Sequence, residues 1–166
     1  MLNHINIDDI ASSIRTLALS SNTITKFECH RPTPFLTNLD LHTNKLSSAF
    51  GLTHDAPVLD TLSLSNNTLV DVTGLDRAPK LSVLLLNSNK LRELPIAVAD
   101  LKCLNTLAVA NNDLSSLPDK LGYMDSLKRI QLEGNAIRSI RQHVLTGSTE
   151  NLKNYLRSRS ADAPIS

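Results

Sequence analysis

The 166-residue sequence predicts an α/β fold: a right-handed solenoid of six repeats, with a parallel sheet on its concave face and helical caps at both ends. Three observations carry this reading. Residues 104–118, LNTLAVANNDLSSLP, set Leu104, Leu107, Val109, Asn112 and Leu114 in the pattern L-x-x-L-x-L-x-x-N-x-L. The pattern recurs along the chain, and its asparagines, Asn22, Asn44, Asn67, Asn89, Asn112 and Asn135, fall every 22 or 23 residues. A fixed period of that size marks a stack of similar units. Hydrophobic residues make up 41% of the chain but aromatics only 3%, with no tryptophan, so burial must come from aliphatic side chains stacked in a regular way.

Each element follows from local sequence. Residues 1–13 precede the first unit, and Ile7, Ile10 and Ile14 lie at helical spacing after Asn6, with Asp8 and Asp9 placed to suit a first turn. This predicts a helical N-terminal cap. Residues 14–137 hold the six repeats. Their consensus positions are Ile14, Leu17, Leu19, Asn22 and Ile24; Leu36, Leu39, Leu41, Asn44 and Leu46; Leu59, Leu62, Leu64, Asn67 and Leu69. They continue with Leu81, Leu84, Leu86, Asn89 and Leu91; the 104–114 set; and Leu127, Ile130, Leu132, Asn135 and Ile137. In each, L-x-L predicts a short strand with alternate side chains turned inward, pairing in parallel with its neighbours. The asparagine then turns the chain, and its amide, both donor and acceptor, can satisfy backbone groups that the bend leaves unpaired.

The return segments come in two kinds, L-P at Leu94-Pro95 and Leu117-Pro118, and a form without proline at residues 72–75. Both predict short helices or 3₁₀ turns, which are wider than a strand and so put the sheet on the inside of the curve. Residues 28–35 and 47–58 depart from the pattern and are expected to be loops, with Phe27, Phe35 and Phe50 filling the core in place of missing leucines or, as the alternative, offering an aromatic anchor to a partner. In residues 138–159, Ser148 or Thr149 can cap a helix carrying Leu152, Tyr155 and Leu156 on one face, a C-terminal cap; residues 160–166 are a frayed tail.

The repeated pattern resembles the leucine-rich repeat family. The final thirty or so residues, in SIR and NYLRSR, resemble the C-terminal cap of certain short cytosolic leucine-rich-repeat-containing proteins. The resemblance implies a non-catalytic scaffold that binds another protein through its concave face. It also accommodates a regulatory or targeting subunit of an enzyme such as a protein phosphatase, or a structural component using its convex loops. Secreted members of the family usually carry cysteine clusters in their caps, and this chain has two cysteines, Cys29 and Cys103, three repeats apart. At ~4.8 Å per strand their Cα atoms are ~14 Å apart or more, beyond the ~7 Å a disulfide tolerates. Free thiols point to a reducing compartment, the cytoplasm or the nucleus.

Composition weighs against other functions. A net charge of +1 does not provide the basic stripe needed for nucleic acid or an anionic membrane. No stretch approaches the ~20 apolar residues of a membrane span. Cys29, His30 and His54 are three loosely spaced candidates where a zinc site wants four ligands. Asp40 and His42 share a strand face without a recognisable nucleophile motif, and the five glycines form no phosphate loop. No catalytic residue, cofactor or metal is therefore assigned, and the protein is expected to be monomeric by itself.

What remains is the exposed sheet face. Its candidate partner-binding residues are Asp40, His42, Asp60, Ser63, Val83, Leu85, Asn87, Ala108, Lys128, Arg129 and Gln131. Acidic groups lie toward one end, Val83, Leu85 and Ala108 at the centre, and Lys128 and Arg129 toward the other. A partner segment is expected to lay apolar groups over the centre, cations at Asp40 and Asp60, and anions at Lys128 and Arg129.

Overall fold

Leucine triplets set the architecture. The computed structural model describes residues 3–161, without the side chains of residues 48–51 and 161. In chain order the strands are β1 (His4–Asn6), β2 (Thr16–Ala18), β3 (Lys26–Glu28), β4 (Asn38–Asp40), β5 (Ser47–Gly51), β6 (Thr61–Ser63), β7 (Thr68–Thr73), β8 (Val83–Leu85), β9 (Thr106–Ala108) and β10 (Arg129–Gln131). Six of them form a parallel sheet in the order β10-β9-β8-β6-β4-β2. Every neighbouring pair is in the same register, so Leu17, Leu39, Leu62, Leu84, Leu107 and Ile130 stand in one line across it. The four interior members of that line are all but completely buried. The chain is thus a mixed α/β fold with parallel sheets and few helices, and none of the helices is long and apolar enough to cross a membrane among the described residues.

The asparagines do the work the sequence predicts. Asn89 Nδ2 donates to Leu86 O in its own pass of the chain at 3.1 Å and to Leu64 O in the preceding pass at 3.0 Å, while Oδ1 accepts from Leu69 N–H at 3.0 Å. Asn44, Asn67, Asn112 and Asn135 make the same set. Asn22 comes first, and its amide nitrogen bonds carbonyls of its own pass, Leu19 O and Ser20 O, each at 3.1 Å. The residue before each asparagine lies in the left-handed region: Ser21, Thr43, Asn66, Ser88, Asn111 and Gly134 have φ between 53° and 74°. This aims the amide back under the sheet. Thr43 is the least suited to it, since a β-branched side chain crowds that conformation.

The return segments behave as expected in the C-terminal half and differently in the N-terminal half. Leu75–Arg77, Ile96–Asp100 and Asp119–Tyr123 are 3₁₀ turns, the last two entered from Pro95 and Pro118. The expected loops at 28–35 and 47–58 instead include strand: β5 pairs in parallel with β7, and β3, which reaches Glu28, pairs with β1. Without regular leucines to wind into a helix, these stretches run extended and bond to the equivalent stretch of the neighbouring pass. Phe27 is half-buried against the core, but Phe35 is 47% exposed and lies under the Arg15 guanidinium at 5.4 Å, so it is not a core filler. The side chain of Phe50 and residues 162–166 of the expected tail lie outside the described residues.

The N-terminal segment is not a helix. Asn6 Oδ1 accepts the Asp8 N–H at 2.8 Å, which closes a local turn in place of a helical one, and residues 8–13 continue as turns. Ile7 is buried while Ile10 is 45% exposed, so the isoleucine spacing reflects a strand followed by turns. Two histidine–carboxylate contacts tie this segment to β3 and the residues after it: His4 Nε2 to Glu28 Oε2 at 2.6 Å, and His30 Nδ1 to Asp8 Oδ2 at 3.0 Å. The His30 N–H bonded to Asp8, and Lys26 with His4 beside Glu28, hold both carboxyls below their ordinary values.

At the other end, α1 (Gln142–Leu145) leads to α2 (Thr149–Ala161). Ser148 Oγ caps α2 by accepting the Asn151 N–H at 3.1 Å, and Leu152 and Leu156 are buried with Tyr155 half-buried, as the sequence predicts. The helix covers the outer edge of β10. Thr149 Oγ1 accepts the Ile130 N–H at 3.3 Å, and the Lys153 ammonium, 4% exposed, reaches Leu127 O and the Glu150 carboxylate, each at 3.5 Å. Helix and 3₁₀ turn touch through backbone at Gly122, where a Cβ would stand 2.9 Å from Lys153 O.

Two outcomes test this account. Asn89→Ala strands buried backbone groups in two passes of the chain and lowers the unfolding free energy by ~1–3 kcal/mol, whereas Asn22→Ala costs clearly less; chemical denaturation of both variants compares them. Gly122→Val drives a side chain into the α2 backbone, and is expected to lower the melting temperature and raise amide hydrogen exchange in α2 ahead of the sheet.

Candidate interaction face

Strand alternation turns the central leucine of each strand into the core and its two neighbours to the opposite face. The register places Asp40 beside Ser63, Ser63 beside Leu85, Leu85 beside Ala108 and Ala108 beside Gln131, one row across five strands. A parallel row holds Asn38, Thr61, Val83, Thr106 and Arg129. Seven of the eleven candidate residues are therefore brought together by these rows; Asp60 and Lys128 precede the strands β6 and β10, and His42 and Asn87 follow β4 and β8. Asp40, His42, Val83, Leu85 and Asn87 are half-buried, while Asp60, Lys128, Arg129 and Gln131 are exposed.

Two candidates are corrected. Ser63 is 9% exposed and Ala108 1%, so neither offers contact surface. Their side chains are short and stand between longer ones. Over Ala108 there is also a bridge: Asn87 Oδ1 accepts the Ala110 N–H at 2.8 Å and its Nδ2 reaches Gln131 Oε1 at 3.3 Å, linking β10 to the pass of β8 across the strand between them. Asn87 and Gln131 are accordingly engaged with one another.

The two carboxylates at the acidic end are each held in place by hydrogen bonds. Asp40 Oδ1 accepts the His42 N–H at 3.1 Å and lies 2.7 Å from His42 Nδ1. Burial pushes the Asp40 carboxyl up, but the His42 N–H, the His42 ring and the Ser63 hydroxyl together outweigh it, and the group sits below the ordinary value. Asp60 Oδ1 accepts from the Ser82 hydroxyl at 2.5 Å, and Oδ2 from that of Thr61 at 3.0 Å. Among the described residues, the carboxylates paired with lysine or arginine are Glu28, Asp55, Asp100, Asp119 and Glu150. Asp40 and Asp60 are not in that set. At the far end Lys128 Nζ donates to Asp125 O at 2.8 Å, and neither Lys128 nor Arg129 is ion-paired among the described residues.

The chemistry-bearing residues elsewhere are not gathered. His30 is taken by Asp8, and among the described residues no three of His, Cys, Asp and Glu are arranged to hold a metal. Both cysteines are free: Cys103 is exposed, and Cys29 is half-buried, which pushes its thiol up although Sγ–H donates to Arg31 O at 3.1 Å.

One feature escaped sequence reasoning. On the other side of the chain, Val70 and Ile96, 55% and 89% exposed, wall a groove of about 620 Å³ with Asp71, Thr73, Arg92 and Pro95. The only available signal was that Ile96 follows the L-P pair just outside the inward positions Leu94 and Val98. No protein-family model matches the chain.

Asp40 yields a prediction with a definite sign. A carboxyl lowered on folding stabilises the fold above its unfolded value, ordinarily 3.8, and that contribution is lost as pH falls through the folded value. His42→Ala removes the ring that helps to lower it and keeps the backbone N–H, so carboxyl-carbon NMR should show the Asp40 midpoint rising.

Proposed function

We propose that the protein is a leucine-rich repeat solenoid of six repeats, closed at the C-terminal end by α1 and α2, that acts as a non-catalytic scaffold binding a partner protein through its concave sheet face. The repeat assignment rests on the in-register parallel sheet, the asparagine bonds repeated from pass to pass, and the 3₁₀ turns opposite the strands. The N-terminal strand β1, bonded to β3, takes the place in this reading of a helical cap.

The observation that carries the binding reading is the pair Asp40 and Asp60: two carboxylates fixed by hydrogen bonds, without a lysine or arginine partner among the described residues, near the half-buried aliphatic pair Val83 and Leu85. Fixed charge beside apolar surface is what a specific interface needs before its partner arrives, because less order remains to be lost on association. Asp40 and Asp60 favour cationic groups, Lys128 and Arg129 anionic ones, and the two together set orientation.

A second reading, contact through the convex side, is favoured by the exposed Val70 and Ile96 in one groove. Affinity purification separates the two. With Leu85→Asp, bound proteins are expected to be lost, since a carboxylate then sits in the apolar centre, while Ile96→Asp retains them; the reverse pattern moves the site to the convex groove. For a partner so isolated, Lys128→Glu with Arg129→Glu is expected to slow association more at low salt than at high, with thermal melts confirming that every variant is folded.

A further inference from the structure

Independently of which face a partner reads, we propose that the outer edge of β2 docks an extended five-residue segment of a partner protein, parallel to β2 and aliphatic at its third and fifth positions. This edge of the sheet is open. Asn38 N–H donates to Arg15 O at 3.3 Å and Leu19 N–H to Asp40 O at 2.8 Å, and β2 is the last strand in the sheet order. The N–H and C=O of one peptide unit point in opposite directions across a strand, so both groups of Thr16 and both of Ala18 face away from β4. Among the described residues none of these four groups has a hydrogen-bond partner.

Two further features point to a neighbour at this edge. Leu17 and Leu19 are half-buried, whereas their counterparts in the next pass, Leu39 and Leu41, are 1% and 0% exposed. Asn22 carries the motif amide, yet its nitrogen bonds only Leu19 O and Ser20 O of its own pass among the described residues, where Asn44 also reaches Leu19 O of the preceding pass at 2.9 Å. Residues 3–13 do not fill the gap. They run along the return side, where Asn3 O accepts the Thr25 N–H at 2.8 Å, Ile7 N–H donates to Glu28 O at 3.1 Å, and β1 pairs with β3. This end of the molecule is therefore a step one strand deep, with β2 along its wall.

What covers the same position at every inner strand defines the occupant. Beside each of them stands the central triplet of the preceding pass, parallel and in one register. Carried over to β2, that arrangement gives the first carbonyl of the segment to Thr16 N–H, and the N–H and C=O of its third residue to Thr16 O and Ala18 N–H. The N–H of its fifth residue goes to Ala18 O. The fifth carbonyl meets the Asn22 amide, as Leu19 O meets that of Asn44, which selects the parallel direction. The third and fifth side chains then cover Leu17 and Leu19, while the second and fourth stand beside the exposed, uncharged Thr16 and Ala18. A strand added to a sheet edge takes its affinity from main-chain bonds and its selectivity from alternate side chains.

The test uses labelled synthetic peptides and fluorescence anisotropy with the full chain. One peptide carries leucine at the third and fifth positions of a threonine background, and a second carries it at the second and fourth. N-methylated forms of the first remove one N–H at a time. The first peptide is expected to bind at least about tenfold more tightly than the second, to lose that margin when its third or fifth residue is N-methylated, and to keep it when the fourth is; tenfold corresponds to ~1.4 kcal/mol. Ala18→Pro removes one outward N–H and none that bonds β4, so this variant is expected to melt with the parent and to lose the first peptide. If it unfolds instead, the N-methyl series on the parent chain decides. Equal binding of the two leucine patterns overturns the proposal, as does a fourth-position methyl that costs as much as a third-position one, binding retained by a folded Ala18→Pro, or no binding by any peptide. Sedimentation of the chain without peptide covers the other occupant: a dimer that Ala18→Pro dissolves assigns the edge to a second copy and overturns the partner assignment.

Discussion

A three-residue strand that must turn at once leaves backbone carbonyls and N–H groups under the bend, away from water, and the rest of this structure depends on how they are satisfied. The asparagine amide answers with both halves: its nitrogen bonds carbonyls in two adjacent passes, and its oxygen takes an N–H in the preceding one. A side chain with only a donor or only an acceptor would leave part of the set unpaired, at a cost of ~1–3 kcal/mol per buried group. Because each amide from Asn44 to Asn135 spans two passes, it also fixes their relative register. The straight line of buried leucines from β4 to β9 is the packing consequence, and the left-handed residue before each asparagine is what the geometry demands in return.

The two ends of the sheet meet the loss of a neighbour differently. Beyond β10, a threonine hydroxyl and a buried ammonium from α2 stand in for the missing strand, and α2 can come that close because residue 122 is glycine. Among the described residues no such helix lies beside β2. Leu17, Leu19 and Ile14 are only half-buried there, and the N-terminal segment is bonded instead to β3, through β1 and two histidine–carboxylate pairs. Stability is accordingly expected to be graded along the chain, highest in the passes that hold Asn67, Asn89 and Asn112, where neighbours exist on both sides.

The same register that builds the core arranges the opposite face. Residues two apart along a strand face the same way, so rows form automatically across the sheet, and their character is decided by which residues happen to be large. Asp40 and Leu85 stand out because Ser63 between them is small. Ordered carboxylates at one end and free cations at the other give the face a direction, which a partner chain would read through encounter and orientation more than through net affinity.

By itself, the sequence determined the strands, their parallel register, the role of the asparagines and the C-terminal helix with its cap, because each is a short-range or strictly periodic property: alternation within L-x-L, a spacing of 22 or 23, a serine before an amphipathic run. It also determined which residues share the exposed face. Only the tertiary structure decided that residues 26–28 and 47–51 are strands, since their pairing partners lie in a neighbouring pass and their own sequence carries no alternation. The same holds for the N-terminal isoleucines, where one local hydrogen bond from Asn6 overrode helical spacing. It decided as well that Ser63 and Ala108 are floor and not surface, that Asn87 is committed to Gln131, and that Ile96 stands in the open. Exposure is a property of what lies beside a residue across strands, and periodicity along the chain cannot report the size of a neighbour that is more than twenty residues away.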